Sequence, residues 1–110
     1  MFTIDNQPNH YVVGFAERGH KLTALNANEF KDQLYQLIDN DNKKIVIDLN
    51  HVSFIDSSGF GAIIAVYNHA RNSQVDVILC RVATSVMGLI KITKLDQVFE
   101  IYETLTEAIK

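Results

Sequence analysis

Between Lys44 and Tyr67 the chain changes its hydrophobic period, and that change leaves few folds open. Ile45, Val46 and Ile47 follow one another within Lys44–Leu49. Such an unbroken β-branched run suits a strand buried on both faces. A short turn leads to a small, hydroxyl-rich cluster, Asp56-Ser57-Ser58-Gly59-Phe60-Gly61. Directly afterwards Phe60, Ile63, Ile64 and Tyr67 recur at helical spacing, with Gly61, Ala62 and Ala65 on the other side, small enough for close packing. Strand, turn and helix in such quick succession are the working unit of an alternating α/β domain.

The same alternation runs through the rest of the chain. Phe2–Ile4 and Tyr11–Phe15 read as two strands joined by a turn at Asn6-Gln7-Pro8-Asn9. Glu17–Lys21 reads as a polar loop. Ala27, Phe30, Leu34, Leu37 and Ile38 mark the apolar face of a helix, for which Thr23 or Asn26 is a cap candidate. Val75–Cys80 is a further strand, and Val86, Met87, Leu89 and Ile90 belong to a helix that Thr84 or Ser85 can cap. Val98–Tyr102 is a last strand and Thr104–Lys110 a last helix, with Glu107 three residues after Thr104 as in a capping box. The expected order is β-β-α-β-α-β-α-β-α in one domain over 1–110. It implies a mostly parallel central sheet of about four or five strands with flanking helices and right-handed crossovers. Its expected core includes Phe30, Leu34, Ile45, Ile47, Leu49, Ile63, Ile64 and Ile78.

A length of 110 residues with 47% hydrophobic residues supports one packed domain. The net charge of −3, with Lys43-Lys44 as the one adjacent pair of lysines or arginines, argues against a nucleic-acid surface. A single cysteine, Cys80, ends an apolar run and reads as a small buried hydrophobe. It allows no internal disulfide, which suits a reducing cytoplasm. The N-terminal residues lack the pattern of a signal peptide, and no apolar run reaches the ~20 residues that span a membrane.

Asp56–Gly61 falls short of several familiar chemistries. A serine nucleophile elbow needs a glycine two residues before the serine, which neither Ser57 nor Ser58 has, and neither His51 nor His69 is fixed as a partner. A phosphate-binding loop lacks its lysine, and Gly59-x-Gly61 lacks the third glycine of a dinucleotide site. His10, His20, His51 and His69 show no metal-ligand spacing. A receiver-type phospho-aspartate at Asp48 or Asp56 lacks the paired acids after the first strand. The plainest reading is a helix N-cap by Asp56, Ser57 or Ser58. Three cap residues stand where one suffices, and Gly59 and Gly61 would leave the surface bare for a partner.

The run Ile47-Asp48-Leu49…Val52-Ser53-Phe54-Ile55-Asp56-Ser57-Ser58-Gly59-Phe60-Gly61 closely resembles the STAS domain of bacterial anti-sigma factor antagonists. Leu22–Ala27 and Ile90-x-x-Thr93-Lys94-Leu95-x-x-Val98-Phe99 extend the likeness to nearly the whole chain. The resemblance implies a non-enzymatic switch without a cofactor. Unphosphorylated, such a protein binds an anti-sigma factor that is also a serine kinase. The kinase phosphorylates the second serine of the box, here Ser58 with Ser57 as the alternative, and a PP2C-type phosphatase reverses it. Asp56 carries over as the box acid, Ser57 as the neighbouring hydroxyl, and Gly59 and Gly61 as the small residues of the helix start; Gly59, Gly61 and Ala62 together would let a partner backbone approach closely. Phe60 departs from the family's usual aliphatic residue. The same domain also serves as a scaffold in lipid-transport or stress-signalling assemblies. A small nucleotide-binding α/β protein is the alternative from another class.

Overall fold

The computed structural model describes residues 2–110. β1 (Phe2–Asn6) and β2 (His10–Phe15) form the expected hairpin. Two short strands follow that the sequence did not announce, β3 (His20–Leu22) and β5 (Val52–Ile55). They flank α1 (Ala27–Asn40) and β4 (Lys44–Asp48). Then come α2 (Ser57–Asn72), β6 (Val77–Cys80), α3 (Thr84–Ile92), β7 (Glu100–Tyr102) and α4 (Leu105–Ala108). A 3-10 turn at Leu95–Gln97 delays the last strand, so β7 starts two residues later than Val98.

The main sheet has five strands in the order β1-β2-β4-β6-β7. Only the β1–β2 pair is antiparallel; β2–β4, β4–β6 and β6–β7 are parallel. Each crossover moves one place in the same direction along the sheet. Right-handed crossovers taken in one direction put their helices on one face. The packing agrees: Phe30, Leu34, Ile63, Val66, Val86 and Ile90 close over Val13, Ile45, Ile47 and Leu79 in one cluster. The other face is covered in part by the short α4. There Ala108 meets Val46, Ile78 and Cys80. Lys44 Nζ donates to the carbonyls of Ala108 and Lys110 at 3.0 and 3.3 Å, which ties the end of α4 to the first residue of β4. Burial of Ile45, Val46 and Ile47 on both faces follows from these two clusters.

Seven of the eight expected core residues are buried, and Ile64 is the exception at 37% exposure. The helix side against the sheet is set by Gly59, Ala62, Ile63, Val66 and Ala70. Ile64 follows Ile63 by about 100° of helix rotation and turns outward. The same registry buries Ala62, which the sequence placed on the far side. The end caps also differ in part. α3 starts after Ala83 with no side-chain cap, and Ser85 Oγ instead donates to the Ser53 carbonyl at 3.5 Å. Thr104 does cap α4, accepting from Glu107 N–H at 3.1 Å.

Cys80 is fully buried, and burial, reinforced by Asp48, pushes its thiol up to about 11. Asp48 is itself nearly buried and holds a two-point ion pair with Arg81, whose Nε–H donates to Oδ1 at 3.1 Å. Ile47→Asp would leave an unpaired carboxylate in the helix-covered core and cost about 4 kcal/mol or more. Loss of the cooperative thermal transition in that variant checks the placement.

Candidate functional site

The site is built where β3, β5 and α2 meet. Leu22, Val52 and Ile55 are buried and fix the two-stranded β3–β5 sheet beneath the start of α2. The chain leaves β5 at Ile55 and turns at Asp56, which has extended backbone and serves as the N-cap. Asp56 is held from three sides. Its N–H donates to the Leu22 carbonyl at 3.1 Å. Its Oδ1 accepts from Gly59 N–H at 2.9 Å, and its Oδ2 accepts from Ala24 N–H at 3.3 Å. One carboxylate therefore caps α2 and also fastens the turn that leads into α1.

Of the three cap candidates Asp56 is the one used, which leaves both serines free of that duty. Ser57 and Ser58 are the first two residues of a 16-residue helix and both are exposed. Peptide N–H groups at such a position lack helical partners, and the helix dipole favours negative charge there.

The two glycines of the box have different places. Gly59 is buried, not a bare spot on the surface. A Cβ there would lie 2.4 Å from the Leu22 carbonyl oxygen and 2.7 Å from Ile55 Cγ2. Residue 59 must lack a side chain for α2 to seat on β3. Gly61 is exposed, with nothing within 4 Å of a would-be Cβ. It lines a shallow groove with Ser58, Ala62, Ala24, Asn28 and Lys31. Ala62 forms part of the floor at 6% exposure. Phe60 is partly buried against the main core. Leu25, one residue beyond Ala24, is 97% exposed. The sequence signalled neither the Leu22 carbonyl nor the Ala24 N–H as part of the site, because both are backbone groups brought in from more than 30 residues away.

Side chains needed by competing chemistries are engaged elsewhere. His51 Nδ1 donates to the Phe15 carbonyl at 2.7 Å. His69 stacks on Tyr35 at 4.0 Å and meets Asp39 Oδ1 at 2.7 Å. Neither bonds Ser57 or Ser58. Among the described residues no three His, Cys, Asp or Glu side chains gather as a metal site, and no helix is long and apolar enough to cross a membrane. The sheet never reverses its winding direction, so it forms no switch-point crevice of the kind that binds nucleotides in doubly wound folds.

The STAS domain model matches residues 5–108, which takes in the box, all four helices and every strand but the first three residues of β1. The chain belongs to the STAS domain family. A Thermotoga maritima protein described as a candidate anti-sigma factor antagonist has the same fold, with TM-score 0.87 and 25% identity over 98% of this chain and 91% of that one. The anti-sigma factor antagonist SpoIIAA in its unphosphorylated form superposes with TM-score 0.83 at 18% identity, covering 99% of this chain and 93% of that one. The Bordetella bronchiseptica protein BtrV, also described as a candidate anti-sigma factor antagonist, is 22% identical over 80 residues, 73% of this chain and 69% of that protein. This STAS domain thus carries the fold of anti-sigma factor antagonists, with an exposed serine pair on a pinned helix start.

The glycines give a direct check on this geometry. Gly59→Ala forces a Cβ into backbone and should cost about 3 kcal/mol, lowering Tm by roughly 10–20 °C. Gly61→Ala meets open space and should be neutral or stabilising by up to about 1 kcal/mol. Thermal melts of the two variants separate the seated glycine from the open one.

Proposed function

We propose that this STAS protein is an anti-sigma factor antagonist, a protein-binding switch set by phosphorylation of Ser58. Unphosphorylated, it binds an anti-sigma factor that is a serine kinase and so frees a sigma factor. Phosphorylated on Ser58, it lets that partner go, and a PP2C-type phosphatase resets it. The carrying observation is an exposed Ser58 at the second position of α2, on a helix start that Asp56 caps without help from either serine.

The physics of the site supports the reading. A phosphate on Ser58 adds about −1.5 to −2 charges near pH 7. It would sit at the positive end of a long helix, so the domain should stay folded. Across a closed interface the same charge, beside Asp56, brings repulsion and bulk. A loss of about 4 kcal/mol there lowers affinity roughly a thousandfold. No rearrangement of the domain is needed. The contact surface comprises Asp56, Ser57, Ser58, Gly61 and the exposed edge of Ala62, with Gly59 acting from beneath by seating the helix.

Phosphorylation is checked by incubating the protein with ATP and each serine-kinase anti-sigma factor of the source genome, followed by mass spectrometry. Ser58→Ala should abolish the added mass, and Ser57→Ala should keep most of it. Phosphate on Ser57 alone would move the acceptor by one residue, and phosphate on neither would end the switch reading. For the kinase that acts, Ser58→Asp should raise the dissociation rate about tenfold or more and change association little, since local contacts are broken rather than long-range steering. Equal dissociation rates for wild type and Ser58→Asp would contradict the proposed surface.

A further inference from the structure

Asn26 stands at the N-cap position of α1 yet makes no cap bond to that helix. Its amide turns back instead. Oδ1 accepts from Thr23 N–H at 2.9 Å and Nδ2 donates to the Lys21 carbonyl at 2.8 Å. A peptide N–H only donates and a peptide carbonyl only accepts, so these two bonds fix which end of the amide is which. The second Nδ2 hydrogen is then left for His20, whose Nε2 lies 3.2 Å away. That ring nitrogen has to be the acceptor. His20 is therefore a neutral imidazole with its proton on Nδ1.

The turn behind this contact is part of the Ser58 site. The N–H groups of Asn26 and Ala27 both donate to the Thr23 carbonyl, at 3.1 and 2.8 Å. Within the turn, Ala24 N–H reaches Asp56 Oδ2 at 3.3 Å, and Leu25 points into water beside the groove. We propose that His20 is a positioning residue for the Ser58 site, its neutral ring locking Asn26 and through it the turn that clasps Asp56 and presents Leu25. Protonation would set an N–H of His20 against an N–H of Asn26. The amide cannot flip away without breaking its bonds to Thr23 and Lys21. Acid therefore loosens the turn, and with it one of the three restraints on Asp56.

The surroundings of His20 favour the neutral ring. It packs 4.7 Å from the Phe15 ring and 6.2 Å from Phe2, and its backbone N–H donates to His51 O at 2.9 Å. The His51 ring is taken up by the Phe15 carbonyl, and the neighbouring Lys21 side chain is exposed. Burial lowers the His20 pKa from its ordinary 6.5, and Glu17 opposes this. Between the lowered folded value and the unfolded one the unfolded chain binds more protons. The stabilisation is complete above the unfolded value and is lost as pH falls through the folded one.

That the loosened turn weakens partner binding rests on the Ser58 reading; the latch itself is tested on the protein alone. Nitrogen-15 NMR of the wild-type chain at pH 7.5 should show the Nδ1–H tautomer at His20. Solvent exchange of the Thr23 and Ala24 amides, corrected for intrinsic rates, is compared at pH 7.5 and 5.5. It should rise roughly tenfold more in wild type than in His20→Gln, whose side-chain oxygen accepts from Asn26 without titrating near neutrality. An Nε2–H tautomer, or an equal change in both proteins, overturns the latch. The wild-type tautomer decides even where the variant folds poorly. Because no kinase enters this experiment, a latch that fails leaves the Ser58 switch standing, and a switch that fails leaves the latch standing.

Discussion

The backbone contact between Leu22 and the start of α2 is the constraint on which the working end of this domain depends. The Leu22 carbonyl accepts from Asp56 N–H, and the same oxygen faces the bare Cα of Gly59. A helix can approach a strand so closely only where a side chain is missing. Once the helix is seated, the Asp56 carboxylate reaches both Gly59 N–H and Ala24 N–H. The exposed serines are placed by what lies beneath them. An aspartate in the cap frees two hydroxyls that would otherwise satisfy helix N–H groups.

The global topology puts that end of the molecule in reach of partners. Because β2, β4, β6 and β7 are laid down in one direction, α1, α2 and α3 share a face, and the starts of α1 and α2 lie side by side. The groove between them carries Ser58 and Gly61 on one wall and Ala24 and Asn28 on the other. A partner seated over Ser58, as proposed, would also meet the turn ending β3. A doubly wound sheet would have moved one of these helices to the far side. Here the far side keeps only α4, pinned by Lys44.

Much of this was legible in the sequence, for identifiable reasons. The strands of the main sheet and the longer helices carry enough residues to show their period. β4 stood out because Ile45, Val46 and Ile47 leave no polar face. The box stood out because its residue types are unusual after such a strand. The small sheet was not legible. β3 and β5 have three and four residues, too few to alternate convincingly, and their pairing joins residues about 30 apart. That omission explains the misreading of Gly59, whose need for small size comes from Leu22, a strand residue the sequence had left at the edge of a loop. Ile64 belongs to a stripe of large apolar residues that looks like the buried face, whereas the true face uses glycine and alanine to let α2 lie close. Asn26, one of two cap candidates with Thr23, takes the N-cap position without the cap bond, since nothing local shows that Lys21 and Thr23 claim its amide.

The switch proposed for this domain would separate stability from signal. The residues that hold the site, Leu22, Asp56 and Gly59, lie at or below the surface and use short, directed contacts. The exposed residues Ser57, Ser58, Gly61 and Leu25 contribute little to that framework. In the proposed switch a dianion on Ser58 would act chiefly on the bound state. It would meet a helix start in the free domain, where its charge is tolerated, and a desolvated interface in the proposed complex, where it is not. The free energy of the proposed release would come from this difference between two environments of one group, so the fold could remain the same in both.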